Sequence, residues 1–245
     1  RRQRQMCIRD RTGNIVVDTA GNAVLNGLLQ ATSGNVKVNA SNITSNSSNA
    51  ITASTIELVA TNSIGSESSA LNFTATGSVN AQSGTGMNLN SASAVTFGDL
   101  LNTSSGNIKV SAGGNAQFAK VTNTNGNITI SSTGSAALSD KVQGVDVTFN
   151  TGDIIASNAN SLISGTNINL TSSGSVGSSS GAVAVESANG INAVANNGSI
   201  YLAGAGATKF NNVSAKNAVE LSTKAGNLET TGAISGGTVK ITSAA

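Results

Sequence analysis

The chain has 245 residues, no His, Trp or Pro, 28 Gly, and charged side chains at only 10% of positions. Its formal charge of +2 comes from 13 basic and 11 acidic residues, but five Arg and Asp10 fall within residues 1–11, leaving 8 Lys against 10 acids and a charge of −2 for the rest. Residues 12–245 also lack Cys, which excludes disulfides, imidazole or thiolate metal centres and His-dependent nucleophiles, and their scattered Lys and few aromatics argue against a nucleic-acid interface.

The opening stretch "RRQRQMCIRD" differs in composition from everything after it. It back-translates without a mismatch into the adapter ligated to fragments in transposase-based sequencing libraries. Residues 1–11 are therefore expected to be a non-native, adapter-derived, disordered segment, set aside before fold reasoning. The native part is then residues 12–245, expected to be an interior piece of a longer protein. No run there approaches the ~18 apolar residues of a membrane-spanning helix.

From Gly13 onward one short pattern recurs, a turn residue followed by apolar, any, apolar. It reads "GNIVV" at Gly13, "GNVKV" at Gly34, "TIEL" at Thr55, "ALNF" at Ala70, "GMNL" at Gly86, "GNIKV" at Gly106 and "GNITI" at Gly126. It continues as "VDVTF" at Val145, "NINL" at Asn167, "AVAV" at Ala182, "SIYL" at Ser199, "AVEL" at Ala218 and "TVKI" at Thr238. Helical spacing is sustained nowhere, and the abundant Gly, Asn, Ser and Thr disfavour helix. A fixed period of this kind marks a solenoid. Alternation places Ile15 and Val17 inward and Val16 outward, and likewise Ile128 and Ile130 against Thr129.

A single winding of about twenty residues cannot bury its apolar face, whereas stacked windings share one core. The spacing predicts an all-β, single-stranded parallel β-helix of about 13 coils, mostly 19–21 residues each, forming a rod roughly 60 Å long at ~4.8 Å per coil. Asn14, Asn35, Asn107 and Asn127 recur at one corner and are expected to stack as an amide ladder.

The alternation of "GN[IV]x[IV]" with "GNAxF" or "GxAxL" resembles the stalk of filamentous haemagglutinin-type adhesins over nearly all of residues 12–245. That resemblance implies a right-handed parallel β-helix. It further implies a stalk segment of a large secreted or surface-bound bacterial exoprotein of a two-partner secretion system, mediating cell adhesion or presenting a distal domain. The partners so implied are the rest of the parent adhesin chain, an outer-membrane transporter during export, and a host or neighbouring-cell surface. No nucleic-acid partner, cofactor, metal or catalytic residue is expected, and the chain is not expected to be an enzyme.

The alternative is a β-helical carbohydrate-active enzyme, a polysaccharide lyase or hydrolase. It would need two carboxylates ~5–10 Å apart. Asp146 and Asp153, with Asp140 and Lys141 nearby, are acids close enough in sequence to be weighed as such a pair. Calcium-binding "GGxGxDxUx" repeats are absent, and the GxG stretches at Gly84 and Gly204 precede no helix. Sequons, among them those at Asn42, Asn46, Asn72, Asn102, Asn127, Asn169, Asn197 and Asn212, are about as many as composition alone produces. Isolated "TAT" and "TNT" at Thr74 and Thr122 do not build an ice-binding face.

Overall fold

The computed structural model describes residues 9–10 and 13–244. Among them there is no helix, and all twenty-six strands join one sheet whose strand ladders are parallel throughout. The chain winds as a β-solenoid of about 11 turns. Of residues 1–11, Arg9–Asp10 form a two-residue strand beside Gln30 and Ala31; the others lie outside the described residues.

The winding follows from alternation. In Ile128–Ser132 the burial runs buried, half-buried, buried, half-buried, buried, so Ile128 and Ile130 enter the core while Thr129 stays at the surface. The same inward pairs recur at Val36 and Val38, Met87 and Leu89, and Ile168 and Leu170. Of the thirteen outward positions, only Ala184 is buried. The inward pair Val239 and Ile241, in the final described strand, is about half exposed.

The coil count of 13 is corrected to about 11, and the reason is geometric. The cross-section has three faces, one long and two short. Initially the long face carries Ile15, Val36 and Ile56 in register (face A), and the short faces carry Ala23 with Ile43 (face B) and Leu29 with Ile51 (face C). The strands Ser63–Ile64 and Leu71–Ala75, on faces B and C, then both pair with the single strand Gly86–Ser91. The two short faces have fused into one long face. Face A divides in compensation: Ser78–Ser83 pairs with Val95–Asn102 across a register shift between Phe97 and Leu100. Two coils on, its successors are the separate strands Ala136–Leu138 and Lys141–Gln143.

The exchange is reversed later. Val176 and Val183, on the two short faces, both pair with Ile200–Gly204. The fused face divides where Ile191 meets Phe210 and Ala193 meets Val213. The sequence motif marks the long face, which moves from face A to the fused face and back. The short sequence steps at Leu71 and Val183 are these two changes of side, each half a turn counted as a whole one.

The core is a continuous apolar column. Phe97 and Phe118 stack with centroids 5.2 Å apart, and Phe73 meets Phe97 edge-on at 6.1 Å.

Candidate functional site

Polar side chains on this rod bond chiefly to the coil above or below. At the corner before the long face the expected amide ladder takes a different form. Asn14 Oδ1 accepts from the backbone N–H of Asn35 at 2.9 Å, Asn107 Oδ1 from that of Asn127 at 3.0 Å, and Asn127 Oδ1 from that of Asp146 at 3.1 Å. The carbonyl end of each amide thus extends the backbone ladder around a corner where strand pairing lapses. This corrects the expectation of amide stacked on amide at these four positions. A second corner uses mixed residues: Asn115 Oδ1 accepts from Ser135 N, Asp153 Oδ1 from Ser175 N, and Ser175 Oγ from Ser199 N.

Amide-to-amide ladders do occur elsewhere, one of them in the interior. Ser83 Oγ donates to Asn102 Oδ1 at 3.0 Å, Asn102 Nδ2 to Asn123 Oδ1 at 2.9 Å, and Asn123 Nδ2 to the Asn127 carbonyl at 2.9 Å. Both amides are fully buried. The sequence signal for this ladder was present: Asn102 and Asn123 recur one coil apart before "SSGNI" and "TNGNI". The sequon at Asn102 is therefore internal to the fold.

The carboxylates weighed for catalysis do not converge. Asp146 opens the strand Asp146–Thr151 and Asp153 follows it, so the two stand at opposite ends of a strand about 16 Å long at ~3.3 Å per residue. Each is engaged with a neighbouring coil: Asp146 Oδ1 accepts from Asn167 Nδ2 at 2.7 Å, and Asp153 Oδ2 from Ser135 Oγ at 3.2 Å. Asp140 Oδ1 accepts from the next backbone N–H, that of Lys141. Lys37 pairs with Glu57 at 2.7 Å and Lys240 with Glu220 at 2.6 Å, both between adjacent outward positions of the long face. Among the described residues no three acidic, His or Cys side chains gather as metal ligands. Thr74 lies beside Thr52, while Thr122 lies between Leu101 and Gln143, so no Thr-x-Thr row forms.

One recess combines the opposite charges of Glu67 and Lys109. It measures about 230 Å³ and lies between the loop bearing Glu67 and the fused long face, near Asn88, Asn107 and Lys109. Its polar groups hold the loop down: Asn88 Nδ2 donates to the Ser66 carbonyl at 2.8 Å, and both Asn107 Nδ2 and Lys109 Nζ reach Glu67 at 3.4 Å. The signal was the recurrence of 67, 88 and 109 at one-coil spacing, legible only once the faces are assigned.

Comparisons with protein-family models, with characterised proteins and with solved structures returned no match. The chain's geometry is a regular parallel rod with polar residues tied into it.

Proposed function

We propose that the chain is a structural stalk segment of a large secreted or surface-bound bacterial adhesin or exoprotein, of the filamentous haemagglutinin type exported by two-partner secretion. In that role it mediates cell adhesion or holds a distal domain away from the cell. The carrying observation is the direction of its polar contacts. Carboxylates and amides that would serve a substrate in an enzyme groove bind the next coil instead. A rod of about 11 turns at ~4.8 Å each spans about 53 Å. Its partners in this reading are the remainder of the parent adhesin, the outer-membrane transporter, and a host or neighbouring-cell surface.

The test places the chain between a bacterial surface anchor and an antibody epitope, beneath a polysaccharide layer. The expected result is antibody access that falls when the chain is deleted or replaced by a flexible Gly/Ser segment of about 20 residues, whose span of ~25 Å is under half that of the rod. Equal access in all three, or sugar-polymer cleavage by the chain that Asp146→Asn or Asp153→Asn abolishes, would overturn the stalk reading in favour of a carbohydrate-active β-helix.

A further inference from the structure

We infer that the rod consists of two copies of one unit of about 112 residues, and that each copy carries a corner-exchange cassette that moves the long face to the other side. The cassette has two parts. A reverse loop closes one corner, and a bulge one coil later opens another.

The loops coincide in sequence and geometry. "SIGSESSAL" begins at Ser63 and "SVGSSSGAV" at Ser175. Gly65 and Gly177 have φ of 67° and 68°. An added Cβ would come within 2.7 Å of the Asn88 carbonyl oxygen in the first copy and 2.6 Å of the Tyr201 carbonyl oxygen in the second. Only Gly fits both the left-handed backbone and the close approach of the next coil. The backbones of Ser66 and Ser69 exchange two hydrogen bonds, and those of Ser178 and Gly181 do the same.

The strand registers repeat about 112 residues on, with one extra residue before Ile200. Ile51 faces Phe73 and Ile56 faces Val79; Ile163 faces Val185 and Ile168 faces Ile191. Ile64 faces Met87, and Val176 faces Ile200. The bulges also correspond. Asn80 Oδ1 accepts from the Asp99 N–H at 2.9 Å, and Asn192 Oδ1 from the Asn212 N–H at 3.3 Å. The equivalence joins different sides of the rod: what happens on faces B and C in the first copy happens on the divided face A in the second. Loop closures, bulges and registers all recur, which one similar surface turn would not require.

The consequence rests on the proposed stalk role. One cassette exchanges the long and short sides, and a second restores the starting cross-section. Units added in pairs would therefore lengthen the rod without altering the surface on which the next coil stacks.

The test uses thermal and circular-dichroism melting of the full chain, which is independent of any adhesion assay. Exchanging the loop residues that differ, by Glu67→Ser with Ser69→Gly and by Ser179→Glu with Gly181→Ser, is expected to shift the melting midpoint by no more than about 2 °C. Gly65→Ala and Gly177→Ala are expected to lower it by similar amounts, at least about 5 °C each. Gly21→Ala, where an added Cβ would meet only Thr19 Oγ1 at 3.8 Å, an ordinary contact, and φ is not positive, is expected to leave it unchanged. Unfolding by either loop exchange, or a large loss from one of Gly65→Ala and Gly177→Ala with none from the other, would overturn the equivalence.

Discussion

At the scale of single residues, two neighbours on one strand test the facing. Ile128 is fully buried, and Thr129 lies partly exposed beside Lys109 and Thr148. Ile128→Asp forces a carboxylate into the apolar column and is expected to abolish folding of the adjacent coils, since an unpaired buried charge costs several kcal/mol. Thr129→Asp is expected to change stability by less than about 1 kcal/mol. Equal losses of circular-dichroism signal in the two variants would contradict the alternation. Alternation was readable because strand period is independent of context, so inward and outward residues could be assigned before any fold was known. The bonding of Asn127 was not readable in the same way. An Asn at a corner can bond an amide, a hydroxyl or a backbone N–H, and here the nearest donor is the N–H of Asp146, one coil on. The interior pair Asn102 and Asn123 shows what such bonds contribute. Asn123→Ala removes one acceptor of the buried Asn102 amide, whose Nδ2 keeps the Ser105 carbonyl at 2.8 Å, and it also removes the donor to the Asn127 carbonyl, an expected loss of ~1–3 kcal/mol, whereas Asn14→Ala at the exposed first corner is expected to cost under ~1 kcal/mol. Chemical denaturation of the two variants measures the difference.

At the scale of elements, strand identity was legible and strand placement only partly so. Each inward pair from Ile15 to Leu221 belongs to a strand, yet the sequence motif tracks the long face and is silent about the two shorter ones. A strand as short as Ser63–Ile64 offers one buried side chain and no period to detect. For that reason Leu71 and Val183 read as coils of their own, and Asp146 and Asp153 read as near neighbours although a whole strand separates them. The aromatic stack is the element-level contact with the largest expected effect. Phe118 is almost wholly buried against Phe97, and Val95–Asn102 and Ala116–Asn123 meet along it. Phe118→Ala is expected to lose ~3–5 kcal/mol, whereas Phe118→Leu keeps most of the volume and should lose less than half of that. The outward ion pair between the neighbouring long strands is a useful contrast. Lys37 and Glu57 are each about half exposed, so Glu57→Gln is expected to cost no more than ~1 kcal/mol, with little effect of added salt on the melting midpoint.

For the whole molecule, apart from the reach of Asn107 and Lys109 across two coils to Glu67, each coil packs on the coils above and below it, so stability is chiefly a sum over neighbouring interfaces rather than the property of one central core. Those interfaces are unequal. In the last described coil the strand Thr238–Thr242 is exposed along its length, with Val239 at 47%, whereas its partner Val219, one coil inward, is at 1%. The preceding strands Leu228–Thr230 and Ile234–Ser235 likewise bury little. Opening this coil uncovers few apolar groups that are not already exposed, so its free energy of opening is small. Opening at Ile108–Ala112 breaks two full interfaces, to Met87 on one side and Ile128 on the other. Native-state hydrogen exchange is therefore expected to fall into a gradient. The amides of Thr238–Thr242 should exchange first, those of Ala218–Thr223 later, and those of Ile108–Ala112 and Ile128–Ser132 last, slower than the end by at least about a hundredfold. The same logic fixes the effect of position on identical chemistry. Val239→Lys should leave the melting of the rest of the rod unchanged, while Val219→Lys should unfold the final coils and spare the signal from those below. Uniform protection along the chain, or global unfolding from Val219→Lys alone, would show one cooperative block and defeat the nearest-neighbour account.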